Sequence, residues 1–228
     1  MATFLDKEVT DNGCLQNVNP ITRSSLLCGK TKNSVIKSIW INLPIILFFL
    51  FSCASAQQKQ DESRDAKFYN NRGIVFGEKG QYDKAISDFN QAIEMNPRYD
   101  RAYNNRGIVY RLKGRYHQAI SDFNKAIAIN PLDAEAYNNL AWLFATANAH
   151  DFRNGKKAVE LALNACRLSD WKNAEYLDTL AAAYARAGDF DNAVKWQKKA
   201  LETSKSAETS EFQQRLNFYW ERKPWPAD

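Results

Sequence analysis

The chain has 228 residues, 45 % of them apolar and 25 % charged, which is the composition of a folded protein rather than a disordered one. Its formal net charge is +5, and the part after residue 56 carries only +3 of that. So weak a balance, without a basic stripe interleaved with aromatics, argues against a nucleic-acid partner.

Residues 1–38 hold Asn, Thr, Ser, two Cys and a Pro without any period, and are expected to form a poorly ordered extension. Lys30, Lys32 and Lys37 then precede the apolar run from Ile39 to Phe51, which Ala54-Ser55-Ala56 and the polar stretch Gln57 to Asp61 follow. A basic flank, a short apolar run and a small-x-small exit predict a signal peptide or membrane anchor over 39–56, then a polar linker over 57–65. The run is short for a membrane span, which needs about 20 residues. Three outcomes stay open: cleavage after Ala56, lipidation at Cys53 in Leu50-Phe51-Ser52-Cys53, and retention as an anchor. Each places the rest of the chain outside the cytoplasm or on a membrane face. Because signal peptides begin near an N-terminus, translation from Val35 is a further expectation. Of the four cysteines only Cys166 lies past this leader, and it reads as a small buried hydrophobe.

From Ala66 the chain repeats itself with a period of 34. Aligning 66–99 with 100–133 gives 20 identities, enough to fix the register and identify a helical array before any other reading. Each unit predicts two helices. In the first unit these are Ala66 to Lys79, ended by Gly80, and Tyr82 to Met95, ended by Asn96-Pro97. Small residues at Gly73, Ala85 and Ala92 let backbones approach, and Tyr69, Phe76, Tyr82 and Phe89 fill the space around them. With Ala66 as position 1, positions 4, 8, 11, 20, 24, 27 and 32 hold Tyr69, Gly73, Phe76, Ala85, Phe89, Ala92 and Pro97. The second unit holds Tyr103, Gly107, Tyr110, Ala119, Phe123, Ala126 and Pro131. This pattern resembles the tetratricopeptide repeat, in particular that of bacterial envelope proteins. The resemblance implies an all-α fold, an α-α superhelix of about four helix pairs whose concave face meets a ligand.

A third unit starts at Ala134 and a fourth at Ala174, so the units read 66–99, 100–133, 134–173 and 174–205. Unit three carries five extra residues within Asn148–Gly155, expected to protrude as a loop rich in turn formers. Its second helix runs from about Lys156 to Leu168. Unit four places Gln197 where the first two units have Phe, which predicts a different packing surface. Residues 206–228 supply a last helix with an apolar stripe of Phe212, Leu216 and Tyr219, expected to cap the array, and a tail.

Two patterns across units carry structure and function. Position 7 is Arg72 and Arg106 where position 23 is Asp88 and Asp122, but Leu140 and Leu180 where position 23 is Leu161 and Trp196. This covariation predicts that each arginine pairs with its aspartate, bridging the two helices of a unit. Second, Tyr-Asn-Asn recurs at Tyr69, Tyr103 and Tyr137. The resemblance implies that first helices line the groove, so Asn71, Asn105 and Asn139 would hold a peptide main chain, with Asn70, Asn104 and Asn138 widening the strip. An amide offers both donor and acceptor, which suits a peptide backbone. The alternative is that these asparagines bind one another's helices within the scaffold. Trp142 would add an apolar contact, and Asp178-Thr179 would end the ladder in unit four. The Lys and Asn of the family's carboxylate clamp are replaced by Asn70 and Ile74, so a partner of the chaperone-tail type is not expected.

Catalysis finds no footing. His117 and His150 stand apart without a ligand cluster, Ser87-Asp88 recurs in register as Ser121-Asp122, and phosphate-loop and nucleophile-elbow motifs are absent. The expected function is a non-enzymatic protein-interaction scaffold of the cell envelope, without cofactor, metal, nucleic acid or small-molecule substrate. Its partner is a protein or peptide, and its N-terminal segment meets the membrane. The alternatives are a structural subunit packed through its outer surface and an accessory factor in envelope protein biogenesis.

Overall fold

A computed structural model describes residues 65–204 and 209–225. The expected extension, the apolar segment and the linker up to residue 64 lie outside the described residues. Within them the fold is all-α: nine α-helices, one 3-10 turn and no strand. They are α1 (65–78), α2 (Tyr82–Met95), α3 (Asp100–Leu112), α4 (Tyr116–Ile129), α5 (Ala134–Thr146), the 3-10 turn His150–Phe152, α6 (Gly155–Leu168), α7 (Ala174–Arg186), α8 (Phe190–Thr203) and α9 (Thr209–Trp220). Among the described residues no helix is long and apolar enough to cross a membrane.

The helices pack as successive antiparallel pairs, and each pair stacks on the next. Gly80, Gly114 and Gly188 end the first helices of units one, two and four with φ of 69°, 72° and 85°, a left-handed turn that a side chain would strain. Inside a pair the ring of Phe89 lies on Gly73 and that of Phe123 on Gly107. A Cβ added to either glycine would sit 2.6 or 2.7 Å from the ring. Ala85, Ala92, Ala119 and Ala126 are fully buried beside them, so the small positions serve close helix approach as expected. Cys166 is fully buried, and desolvation pushes its thiol up to about 12, which leaves it unreactive at neutral pH.

Both expected bridges form. Arg72 donates to Asp88 through Nε and Nη2, each at 2.7 Å, and Arg106 donates to Asp122 with the same geometry. In unit three Leu140 and Leu161 occupy these positions and join the apolar core instead. A paired arginine and aspartate, or two apolar residues, satisfies the same site; a mixture would not.

The insertion in unit three departs from the protruding loop expected of it. It turns through His150–Phe152 and folds back on unit two. The Phe152 ring lies 5.1 Å from that of Tyr116 and 4.7 Å from that of His117. Asn148 donates its N–H to the Tyr116 hydroxyl, Arg153 Nε donates to the Ala147 carbonyl, and Asn154 caps α6. One aromatic in an otherwise polar insert gives the segment something to bury, and it packs accordingly.

Helix α9 caps the array as its stripe implies: Phe212, Leu216 and Tyr219 are buried against unit four. Gln197, in the slot that Phe fills elsewhere, is buried without solvent contact and donates to Asp178 at 2.6 Å and to the Phe212 carbonyl at 3.2 Å. Arg215 of α9 donates to the same carboxylate at 2.7 Å. Burial raises the pKa of Asp178, and Arg215 and Gln197 oppose that rise. This buried network ties the cap to α7 and α8.

Candidate functional site

The first helices of the units, α1, α3, α5 and α7, line a groove of about 830 Å³. Lys67, Asn71, Ile74, Arg101 and Asn105 are among its lining, with Glu135 and Tyr176 toward unit four. In unit one positions 2, 5, 6 and 9 face the groove and in unit two positions 2, 5 and 6, because they fall on one side of a 3.6-residue helix; unit three contributes Ala134 and Glu135.

Asn70, Asn71, Asn104 and Asn105 line this groove and Asn138 and Asn139 a smaller recess, and the asparagines form a relay between them. Asn105 Nδ2 donates to Asn70 Oδ1 at 2.9 Å, and Asn139 Nδ2 donates to Asn104 Oδ1 at 3.1 Å. Position 6 of one unit therefore holds position 5 of the unit before it. Asn70 and Asn104 are buried, at 3 % and 2 % exposure, whereas Asn71 is exposed and Asn105 and Asn139 are half-buried. The position-5 asparagines set the spacing between units, and the position-6 asparagines present the remainder of their amides to the groove. These bonds are the ones the alternative reading expects, asparagines holding one another's helices within the scaffold, and they engage both rows.

The relay ends where unit four replaces the asparagine pair. Thr179 stands at position 6 there, and Asn138 Oδ1 is buried without a partner. Trp142 is half-buried on the groove side, and the Arg215 guanidinium lies 5.6 Å from its ring, so the cap covers part of the apolar surface expected to be open. A smaller recess of about 340 Å³ remains between Trp142, Thr179 and Arg215.

Glu135 accepts from Asn104 Nδ2 at 3.1 Å on the groove wall. Desolvation, and then the neighbouring Asp133 charge, raise its pKa. Tyr176 is pushed up to about 12, first by desolvation and then by Glu135. Among the described residues no three His, Cys, Asp or Glu gather as metal ligands.

Sequence reasoning missed the cap network and the direction of the relay. Two departures from the repeat in one unit, Asp178 for Asn and Gln197 for Phe, were the available signal for the first. The second depends on the rotation between units, which periodicity does not report.

Comparison with known proteins gives one consistent picture. Models described as Tetratricopeptide repeat match residues 66–99, 100–132, 123–158 and 173–207, together more than half of the chain. A stretch of 36 residues is 44 % identical to an uncharacterized protein of Methanocaldococcus jannaschii; the match spans 16 % of this chain and 42 % of that protein's length. Among solved structures, Pseudomonas aeruginosa pilF superposes with a TM-score of 0.59 at 15 % identity, over 71 % of this chain and 76 % of its own. A thermophilic TPR protein of Thermus thermophilus does so with a TM-score of 0.59 at 20 % identity, over 69 % and 84 %. MamA from Desulfovibrio magneticus gives 0.51 at 24 % identity, over 62 % and 77 %. At these identities the superpositions speak for the fold alone.

Proposed function

The chain belongs to the tetratricopeptide-repeat family, whose members are generally non-enzymatic scaffolds that bind other proteins, and on that premise we propose that it holds an extended peptide segment of a protein partner in its concave groove. The observation that carries this reading is the row of amides, Asn70, Asn71, Asn104 and Asn105 along an open groove of about 830 Å³ and Asn138 and Asn139 along a recess of about 340 Å³. Asn71, Asn105 and Asn139 face the peptide main chain. Asn70, Asn104 and Asn138 stand behind them, and Trp142 offers an edge beside the cap. The basic flank, apolar run and small-residue exit over 30–56 support an exported or membrane-tethered scaffold of the bacterial envelope type, with its repeats outside the cytoplasm.

The test must spare the bonds between units, since replacing Asn105 or Asn139 would orphan a buried acceptor, whereas Asn71 only accepts a long 3.5 Å bond from its neighbour Asn70. Asn71 and Ile74 are exposed groove residues, so the double variant Asn71→Trp, Ile74→Trp fills the groove from the solvent side. The full chain, solubilised in mild detergent and immobilised, should capture a peptide-displaceable protein that this variant releases. Equal capture by both forms refutes groove binding.

One observation favours a second reading, a subunit packed through its outer surface. Positions 3 and 10 are buried in units two and three, at Ala102, Val109, Ala136 and Leu143, under the preceding unit. In unit one the same positions are Phe68 and Val75, which are 58 % and 44 % exposed. A stoichiometric complex that survives both salt and the groove-filling variant, yet is lost on Phe68→Glu, would select this reading.

A further inference from the structure

Position 12 of the first helices is Gly77, Ala145 and Ala185 in units one, three and four, but Arg111 in unit two. This arginine is half-buried, and its Nε has no solvent contact and no hydrogen-bond partner. No Asp or Glu pairs with it among the described residues, and desolvation lowers its pKa without a carboxylate to restore it. Contrast Arg72 and Arg106, which each grip an aspartate through two bonds. A half-buried guanidinium whose Nε is shut off from water and unpaired is costly to keep, and the fold could have placed alanine there as it does in two other units.

Arg111 borders a cavity of about 350 Å³ together with Tyr116, Thr146 and Asn148. The Tyr116 hydroxyl accepts from the Asn148 N–H at 3.3 Å and keeps its own proton to donate. Beside this cavity, and sharing Leu112 with it, is an apolar recess of about 260 Å³ lined by Ile74, Gly77, Ile108 and Leu112. The recess in turn shares Ile74 and Asn105 with the amide groove. It exists because position 12 of unit one is glycine: a Cβ built there would reach only Val109, at 3.8 Å. Amide strip, apolar recess and unpaired cation therefore adjoin one another in that order.

We propose that Arg111 anchors a carboxylate of the bound peptide and that the recess beside it takes a neighbouring large apolar side chain. The inference rests on groove binding and names its ligand: main chain along the asparagines, a Leu, Ile, Met or Phe side chain against Ile74, Ile108 and Leu112, and a carboxylate on the Arg111 guanidinium. Charge-assisted pairing to arginine is the strong, directional member of this set. The carboxylate is either the peptide's C-terminus or an Asp or Glu side chain.

The probe is a pooled library of random synthetic hexapeptides, prepared once as free acids and once as C-terminal amides. It is offered to the immobilised full chain, and the retained peptides are sequenced by mass spectrometry. Retained peptides should be enriched in a large apolar residue next to an acid. Enrichment confined to the free-acid pool identifies the C-terminus; Asp or Glu enrichment in both pools identifies a side chain. Arg111→Gln should lower recovery of the carboxylate-bearing peptides at least ten-fold without lowering the melting temperature. Gly77→Leu should remove the apolar preference and leave the acidic one. Peptides retained by the wild type, released by Asn71→Trp, Ile74→Trp and lacking any carboxylate preference would overturn this inference and leave groove binding standing. Peptides retained equally by that groove-filling variant would overturn groove binding itself, and failure of the wild type to retain any peptide would overturn both.

Discussion

Replacing Asp122 alone should cost far more than a surface ion pair is worth. Arg106 is only 17 % exposed and Asp122 8 %, and two bonds of 2.7 Å join them. Asp122→Ala leaves the guanidinium in place, short of water and short of its partner. Breaking a buried pair from one side costs about 3–5 kcal/mol, against about 0–1 kcal/mol for an exposed one. Arg106 retains a bond to Asn90 and lies 5.5 and 5.7 Å from the rings of Tyr103 and Tyr110, which places the loss at the lower end, about 3 kcal/mol. Removing both charges is a different experiment. Arg106→Leu with Asp122→Leu reproduces what unit three has at Leu140 and Leu161, so the double variant should return to within about 1 kcal/mol of the wild type. Urea unfolding followed by helical circular dichroism reads both. A single-variant loss below about 1 kcal/mol would show that solvent screens the pair. A double variant as unstable as the single would show that the slot does not accept apolar residues in this unit.

Individual contacts give three more expected outcomes. Thr179→Asn gives Asn138 Oδ1 the donor it lacks and should stabilise the chain by about 1 kcal/mol, read as a rise of a few degrees in melting temperature; an unchanged or lower value contradicts the relay. Glu135→Gln keeps the bond from Asn104 and removes a carboxylate whose pKa is raised by desolvation. A raised acid favours folding below its unfolded value of 4.5 and loses that contribution as pH rises through the folded value, so the variant should melt higher than the wild type at pH 7 and lose its advantage toward pH 4.5. Phe152→Ala should cost about 1.5–2.5 kcal/mol, half a full core truncation because the ring is half-buried; an unaffected unfolding midpoint would restore the accessory loop.

What the sequence makes legible here is whatever recurs in register. The helix pairs, the glycine seats under Phe89 and Phe123, the arginine–aspartate bridges and the apolar stripe of α9 all follow from comparing one unit with the next. Contacts between units are harder to read. That Tyr-Asn-Asn lies on the groove follows from the helix period, but that Asn105 reaches back to Asn70 depends on how unit two is rotated on unit one. Departures from the repeat carried information that their chemistry alone did not resolve. Gln197 and Asp178 each break the pattern of unit four, and only the fold shows that they bond to each other and to Arg215. Arg111 breaks the pattern at position 12 with equal clarity, and Phe152 marks the insertion as a packed segment.

The way the insertion rejoins the array bears on redesign. Gly155 opens α6 with its Cα pressed against the end of α7: an added Cβ would stand 2.5 Å from the Ala187 backbone nitrogen and 2.6 Å from its Cα. Backbone atoms at that distance have nowhere to go, so this joint admits no side chain at all. Ala149, His150 and Asp151 lie at the other side of the same turn, where His150 and Asp151 are exposed. The segment is therefore a hinge plate with one fixed screw: a tag or a foreign epitope can be grafted at 149–151, while a saturation library at 155 should yield glycine alone.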